Sequence, residues 1–108
     1  MHKEFDTGLV WFRRDLRVHD NAALYEALQR CAQVHCVFVM DRTILDTLPR
    51  ADRRVEFIRD SLVELDAGLR ALAGKPGAGL MVVHGIAIDA LPALAVSLGA
   101  NVVFTAHD

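Results

Sequence analysis

Short apolar runs of strand length recur four times along the chain, and helix-patterned segments fill the intervals between them. The runs lie at residues 9–12, 34–40, 80–84 and 101–106. Residues 37–40 and 80–83 are apolar at every position, which is typical of parallel strands covered by helices on both faces. The alternation of strand and helix therefore predicts an α/β fold, a doubly wound and Rossmann-like parallel sheet with helices on both faces.

The clearest helical pattern covers residues 52–73, and Gly74 and Pro76 end it. Its apolar residues recur at steps of three and four and form one inward stripe: Val55, Ile58, Leu62, Leu65, Leu69 and Leu72. The first helix, capped by Asp20 or Asn21, is predicted to present Leu24, Leu28 and Cys31 to the core. In the last helix the inward set is Leu91, Leu94, Ala95 and Leu98, and Pro92 is expected in the first turn.

Length and composition predict one compact domain, because 108 residues with 53% hydrophobic content can bury a sizeable core. A net charge of -2 provides no overall positive field for nucleic acid or an anionic membrane. The uncharged stretch 90–107 is broken by Pro92, Gly99 and Asn101, so no membrane span is predicted. The chain starts without an apolar leader, so a cytoplasmic location is predicted.

Cys31 and Cys36 lack the C-x-x-C spacing of a zinc or redox site, and both are predicted to be reduced and half-buried. The histidines show no spacing typical of zinc ligands or of a catalytic triad, and no G-x-S-x-G motif is present. On residue chemistry alone the sequence predicts a ligand-binding domain with no metal site and no visible catalytic set.

Ligands of an open parallel sheet bind beyond the carboxyl ends of its strands. After the first strand the chain carries Arg13, Arg14 and Arg17 around Asp15, and neither G-x-G-x-x-G nor a P-loop is present. The arginines suit a carboxylate, a phosphate or a neighbouring domain, and a solvated salt-bridged loop is the alternative.

A second basic cluster, Arg50, Arg53 and Arg54, lies where the long helix begins and where the helix dipole disfavours positive charge. Either the cluster has a functional role, or its positive charge is balanced by Asp52 and Glu56 on a solvated turn.

Two further strand-end residues are acidic. Asp41 and Asp108 are suited to hydrogen-bonding ring nitrogens or hydroxyls of a ligand, or to capping a loop.

The segment WFRRDLR at residues 11–17, followed by His19-Asp20-Asn21, resembles the start of the DNA photolyase and cryptochrome family. The resemblance continues through residues 37–41, 53–62 and 99–100, so it covers nearly the whole chain. It implies that residues 1–108 form the N-terminal α/β domain of that family, with strand order 3-2-1-4, the fifth strand missing and the helical FAD-binding domain absent.

The resemblance implies a light-harvesting antenna domain, with methenyltetrahydrofolate favoured over a deazaflavin or FMN as the pigment. The full-length protein would be a lyase that repairs pyrimidine dimers with light and reduced FAD, or a cryptochrome photoreceptor. This chain alone is expected to lack that activity and to hold the pigment weakly. Its expected partners are its own FAD domain and, through that domain, damaged DNA.

By position, the residues that the resemblance assigns to the antenna are Phe38, Met40, Asp41, Arg54 and Asp108. It assigns domain docking and loop structure to the signature loop Arg13, Arg14, Asp15 and Arg17. With the fifth strand missing, the fourth strand would be an unpaired edge, and the chain is expected to self-associate through it.

Two readings from other classes remain open at this stage. One is a free-standing nucleotide-binding α/β domain of the universal-stress or adenine-hydrolase type. The other is an interaction module whose arginines dock a protein partner.

Overall fold

The computed structural model describes residues 4–13, 16, 18, 21–41, 53–73 and 79–105, with the backbone alone at residues 41, 53–55 and 73. Seven elements follow one another along the chain. They are β1 (Phe5–Phe12), α1 (Ala22–Arg30), β2 (Cys31–Asp41), α2 (Arg53–Ala73), β3 (Leu80–Gly85), α3 (Ala87–Leu98) and β4 (Val102–Thr105). Among the described residues, no helix is long and apolar enough to cross a membrane.

The four strands form one sheet in the order β3-β2-β1-β4, and every neighbouring pair is parallel. Both the α/β fold and the strand order expected from the family resemblance are confirmed. The chain moves outward from β1 to β2 and β3, and it then returns to place β4 on the other side of β1. The strand order therefore reverses between β1 and β4, which is where such sheets open a crevice for ligands.

The first face of the sheet, defined by Val10 and Phe12, packs against α1 and α2. Its core cluster joins strand residues to both helices: Val10, Phe12, Ala23, Leu24, Ala27, Cys31, Cys36, Leu65, Leu69 and Phe104. Gly8 lets β1 pass close to Cys31, because a Cβ at position 8 would overlap the Cys31 Sγ atom. A right-handed crossover from β3 to β4 places α3 over the second face, defined by Leu9 and Trp11.

Two leucines predicted to point inward are exposed instead. Leu28 of α1 is 43% exposed and Leu72 of α2 is 56% exposed. In α1 the buried residues are Ala23, Leu24 and Ala27. The helix turns its small alanine side chains toward the sheet, which allows a closer approach and rotates Leu28 outward.

The chain passes from α1 into β2 without a loop, so the prediction that Cys31 belongs to the helix is wrong. Cys31 has extended backbone angles, φ -119° and ψ 140°, and its N–H donates to the carbonyl of Ala27. Strand β2 therefore begins three residues before the predicted boundary at residue 34. Both cysteines are buried and neither forms a disulfide, so each is more enclosed than the half-buried state predicted.

Pro92 lies in the interior of α3 and not in its first turn, contrary to the prediction. The proline leaves the carbonyl of Ile88 without its helical donor, and the Ile88 side chain is 80% exposed, so this side of the helix faces water. The four residues predicted to point inward are only half-buried, and α3 has no fully buried residue. Gly99 ends the helix with φ 69°, a left-handed angle that favours glycine.

Side-chain contacts fix the strands at the amino edge of the sheet, where the strands begin. Arg30 at the end of α1 donates two hydrogen bonds to Glu4, at 2.7 and 2.8 Å, which lowers the pKa of the Glu4 carboxyl. The Arg30 guanidinium also lies over the ring of Phe5 at 5.3 Å. Asn101 accepts from the Thr7 N–H through its side chain at 3.1 Å and donates its own N–H to the Thr7 carbonyl at 2.8 Å.

Asp66 joins α2 to the beginning of β3. One carboxylate oxygen accepts the Leu80 N–H at 2.8 Å, and the other accepts Arg70 Nε at 3.1 Å. The Leu80 hydrogen bond first, and Arg70 second, lower the pKa of the Asp66 carboxyl below its ordinary value of 3.8. The carboxylate form of Asp66 therefore holds the start of β3 against the helix.

We expect Asp66→Ala to lower the free energy of unfolding by about 1 kcal/mol at pH 7, the typical net value of one hydrogen bond. Because the pKa is lowered in the folded state, this contribution is present above the ordinary value of 3.8 and is lost as the pH falls below it. Urea unfolding at pH 7 and pH 3 checks both statements. Asp60→Ala, an exposed acid on the same helix, is the control. If the free energy of unfolding of Asp66→Ala differed from that of the parent by the same amount at both pH values, the assignment would be contradicted.

The edge of β4 that faces away from β1 pairs with no described strand. Val102, Val103 and Phe104 are uncharged and favour β structure, and such an edge recruits another chain through ladder bonds of about 0.5 to 1.5 kcal/mol each. We expect the chain to self-associate there at high concentration and Val103→Lys to return it to a monomer. Val82→Lys is the matched control, because Val82 is also 43% exposed but lies on the opposite edge strand. Sedimentation velocity decides, and a parent chain that stays monomeric would refute the prediction.

Candidate ligand site at the carboxyl edge of the sheet

At the carboxyl edge of the sheet the strands end at two different levels, and we call this offset the step. Strand β1 ends at Phe12, which pairs with Phe38 of β2, and β4 ends at Thr105, which pairs with Trp11. Strands β2 and β3 continue to the pair Asp41 and Gly85, three residues farther along β2. At about 3.3 Å per residue this extension forms a wall about 10 Å high. The ends of β1 and β4 form a lower floor beside it, at the point where the strand order reverses.

The wall carries apolar side chains at the end of β2. Phe38 is half-buried and lies beside Phe12 in the strand register. Met40, 9% exposed, lies on the same face and pairs with the exposed His84 of β3. Phe38 provides the more accessible surface of the two, against which a planar ring can stack, and the nearly buried Met40 thioether lies beyond it on the same face.

The floor carries a stacked pair at the end of β1. Trp11 is half-buried and pairs with Val37 on one side and Thr105 on the other. The exposed Arg13 places its guanidinium carbon 4.9 Å from the centre of the Trp11 ring. A positive group is thus held at the end of β1, against an aromatic side chain of the second face.

Of the five residues assigned to the antenna by resemblance, three lie together. Phe38, Met40 and Asp41 are the end of β2, although only the backbone of Asp41 is described. Arg54 is the second residue of α2, again described by its backbone alone. The amino end of α2 lies at the carboxyl edge, because Asp66 and Leu80 place the later part of the helix at the amino edge. Asp108 lies outside the described residues.

The signature loop is described only in part. Arg13 and Leu16 are included, whereas Arg14, Asp15 and Arg17 lie outside the described residues. The contact between Arg13 and Trp11 was not predicted from the sequence. Their spacing of two along a strand was the available signal, because it places both side chains on the same face of the sheet.

The chemistry available at this edge is that of binding. Within the described part of the chain, no group of three or more histidine, cysteine or acidic residues is positioned to hold a metal ion. Cys36, two residues before Phe38 on β2, is the nearest thiol in sequence, and burial raises its pKa to about 12. A protonated, enclosed thiol is not a nucleophile at neutral pH.

A separate groove of about 570 Å³ opens between α1 and α2. It is lined by Val18, Asn21, Ala22, Leu24, Tyr25, Leu28 and Leu72. Among the described residues that line it, none is assigned to the antenna or to the signature loop. The two leucines that are exposed, Leu28 and Leu72, are among its lining residues.

Comparison with known proteins gives a consistent result. A sequence model of the family described as DNA photolyase matches residues 8–108. The chain is 37% identical over 90 residues to Cryptochrome-2 of Gallus gallus and 36% identical over 84 residues to Cryptochrome-1 of Spalax judaei. These matches cover 83% and 78% of this chain, but only 15% and 14% of the length of the two relatives.

The burial of Cys36 predicts low thiol reactivity beneath the wall. With a pKa near 12, the thiol should react with Ellman's reagent in the folded chain at least about 100-fold more slowly at pH 8 than in urea. The folded state also loses stability as the pH rises above the ordinary value of 9.0, because the unfolded thiol ionises first. Cys36→Ala leaves Cys31 as the internal comparison. Rapid labelling of Cys36 in folded protein would contradict its enclosure.

Proposed function

Since the chain belongs to the DNA photolyase and cryptochrome family, we propose that it is the light-harvesting, chromophore-binding domain of a DNA photolyase. The observation that carries this proposal is the step at the carboxyl edge, where Phe38 lies level with the end of β1 and β2 continues past it through Met40 to Asp41. The family match argues against the nucleotide-binding α/β domain of the universal-stress type.

The wall supports binding of a flat, conjugated pigment. A ring stacked on Phe38 gains about 0.5 to 1.5 kcal/mol beyond the apolar area that it buries, and contact with the Met40 sulfur adds about 0.3 to 1.5 kcal/mol. Phe12, which pairs with Phe38, and Cys36, two residues before Phe38 on β2, belong to the buried core cluster. A ring placed against Phe38 and Met40 would therefore lie beside the packed core, which would restrict the orientation of a bound pigment.

Polar recognition is assigned to residues around the ring. The Asp41 carboxylate is proposed to accept hydrogen bonds from ring N–H groups, and Arg54 at the start of α2 to meet carbonyl or anionic groups. Asp108 is proposed to close the site after β4. These roles follow from position in the family pattern, and the location of Asp41 and Arg54 at the carboxyl edge supports the first two.

The proposed pigment is methenyltetrahydrofolate, ahead of a deazaflavin or FMN. When bound it would supply absorption of blue or near-UV light, which the side chains of this domain lack. The chain holds the pigment, sets its orientation and shields one side of the ring from water. Repair of pyrimidine dimers, the lyase activity and FAD binding are proposed for the full-length protein, since the chain spans only 15% of the length of its relative Cryptochrome-2.

The signature loop is proposed to dock the FAD domain of the full-length protein, and damaged DNA would bind through that domain. The net charge of -2 supports an indirect role in DNA binding, because the chain has too little positive charge to neutralise a series of phosphates.

A cryptochrome photoreceptor domain is the second candidate, favoured by the names of the two relatives. Both candidates require the same pigment site. Light-dependent repair of a dimer-containing oligonucleotide by the full-length protein separates them, because a photoreceptor without repair activity leaves the dimers intact.

Arg54→Ala should weaken pigment binding about 10-fold, a loss of about 1.4 kcal/mol that is typical of one charge-assisted hydrogen bond. Equilibrium dialysis of the chain against methenyltetrahydrofolate, a deazaflavin and FMN measures the affinities. Arg59→Ala, an exposed arginine on the same helix, is the matched control and should bind like the parent.

Unchanged affinity in Arg54→Ala would remove that residue from the site. Failure of the parent chain to bind any of the three pigments at about 1 mM, the limit of weak specific binding, would contradict the proposed function itself.

A further inference from the structure

The groove between α1 and α2 has the chemistry of a protein-docking surface. Its volume of about 570 Å³ lies within the range of about 300 to 1,000 Å³ that is typical of binding sites. We propose that it binds an amphipathic helix of a partner protein, with an apolar face and with lysine or arginine side chains along one flank. The proposal is independent of the pigment site, because none of the described lining residues is assigned to that site.

Large apolar side chains line the groove from both helices and are open to solvent. Tyr25 of α1 is 63% exposed and Leu72 of α2 is 56% exposed. The inner sides of the same helices already pack against the sheet, where Leu24 and Leu69 are buried. Contiguous apolar surface that remains exposed beside polar residues is typical of a site for another protein.

The hydrogen-bonding groups of the groove favour a helix over an extended peptide. The Tyr25 hydroxyl accepts a hydrogen bond from Gln29 Nε2 at 2.7 Å, and Asn21 Oδ1 accepts one from the Leu24 N–H at 3.1 Å. The walls are helices, whose backbone groups bond within each helix and offer no edge for a strand. An extended peptide would bury its own N–H and C=O groups there without partners, whereas a helix satisfies them internally.

The charge beside the groove selects a basic helix. Gly68 faces α1, because a Cβ at that position would overlap Val18. Glu64 lies one turn before Gly68 in the same row of α2, and Asp60 lies one turn before Glu64. Both acids are exposed, and neither forms an ion pair with a described residue. Carboxylates at this spacing repel each other, and a lysine or arginine placed between them would remove that repulsion.

The described arginines of the two helices lie elsewhere. Arg30 of α1 is bound to Glu4. Arg70 of α2 is bound to Asp66 at the start of β3, and Arg59 lies eleven residues earlier, on the same side of the helix as Arg70. The described charges that border the groove on α2 are therefore acidic.

A second copy of the chain is a poor match for this surface. Helix α3 has exposed apolar residues, Ile88 and Val96, but no lysine or arginine. The side of α2 that carries Arg59 and Arg70 has one large exposed apolar residue, Val63. Among the described helices none joins an apolar face to a basic flank, so the expected occupant is a different protein.

Three labelled peptides of about 15 residues test the proposal, because about 22 Å of helix exceeds the roughly 16 Å of α2 between Ser61 and Leu72. The first has leucines on one helical face and lysines along one flank. The second has glutamates in place of the lysines. The third has the composition of the first in a scrambled order, without an apolar face.

Fluorescence anisotropy measures the three affinities. We expect the parent chain to bind the first peptide at least about 10-fold more tightly than either of the others, which corresponds to about 1.4 kcal/mol. The preference for the first peptide over the second should decrease as the salt concentration rises, because exposed charges are screened.

Four variants locate the binding site. Leu72→Gln removes apolar surface and Glu64→Lys reverses a border charge, and each should weaken binding of the first peptide about 10-fold. Val63→Gln, on the Arg59 side of α2, and Asp89→Lys, on α3, make the same two changes elsewhere and should bind like the parent. Circular dichroism establishes that each variant is folded.

A measurement on the parent chain alone keeps the test independent of the variants. In ¹⁵N NMR spectra the first peptide should shift the amide signals of Tyr25 and Leu72 and leave that of Val96 on α3 unchanged.

The design gives results that would overturn the proposal. Equal affinity for the first and second peptides would remove the charge selection, and equal affinity for the first and scrambled peptides would reduce binding to non-specific attraction. Binding that Leu72→Gln leaves unchanged, or amide shifts confined to α3, would place the peptide at another surface. A self-association in sedimentation velocity that Leu72→Gln weakens would assign the groove to a second copy of the chain instead.

Discussion

The pairing of β1 with β2 is the contact on which the rest of the domain depends. Seven residue pairs join the two strands in parallel, and the buried residues of both faces are concentrated on them. Two parallel strands cannot be joined by a hairpin, so the chain crosses over between them through α1. Because α1 covers one face of the sheet, a later helix must cover the other face. The same pairing brings the ends of β1 and β2 to one edge, with the last residues of β2 standing above the end of β1.

The sequence predicted the strands and helices and their order, but it did not predict which residues of each helix point into the core. Apolar runs separated by helical patterns predict strands and helices, because a strand that is apolar on both faces must be covered on both sides to exclude water. The rotation of α1 was not predicted, because Leu28 is as good a core residue as Ala27 by periodicity. Only the fit of a small side chain against β1 decides between them. Cys31 was misplaced for a related reason, as no loop residue separates α1 from β2.

The candidate site was predictable where it depends on strand ends and not where it depends on side-chain contact. Phe38, Met40 and Asp41 end a strand that the apolar pattern already identifies, so their position at the carboxyl edge follows from the fold. The Trp11 and Arg13 contact requires knowledge of which groups meet across the end of β1, and periodicity supplies only the shared face. The two parts of the step differ accordingly: the wall is apolar and enclosed, and the floor is aromatic and charged.

Three connections that hold distant parts of the chain together lie at the amino edge: Glu4 with Arg30, Thr7 with Asn101, and Asp66 with Leu80. The ligand edge lies at the opposite end of every strand. Substitutions of exposed residues at the strand ends leave these three connections in place, so the surface of the carboxyl edge can change while the connections at the amino edge continue to hold the strands and helices together. Changes in what the carboxyl edge binds and maintenance of the connections at the amino edge are thus subject to separate evolutionary pressures within one small sheet.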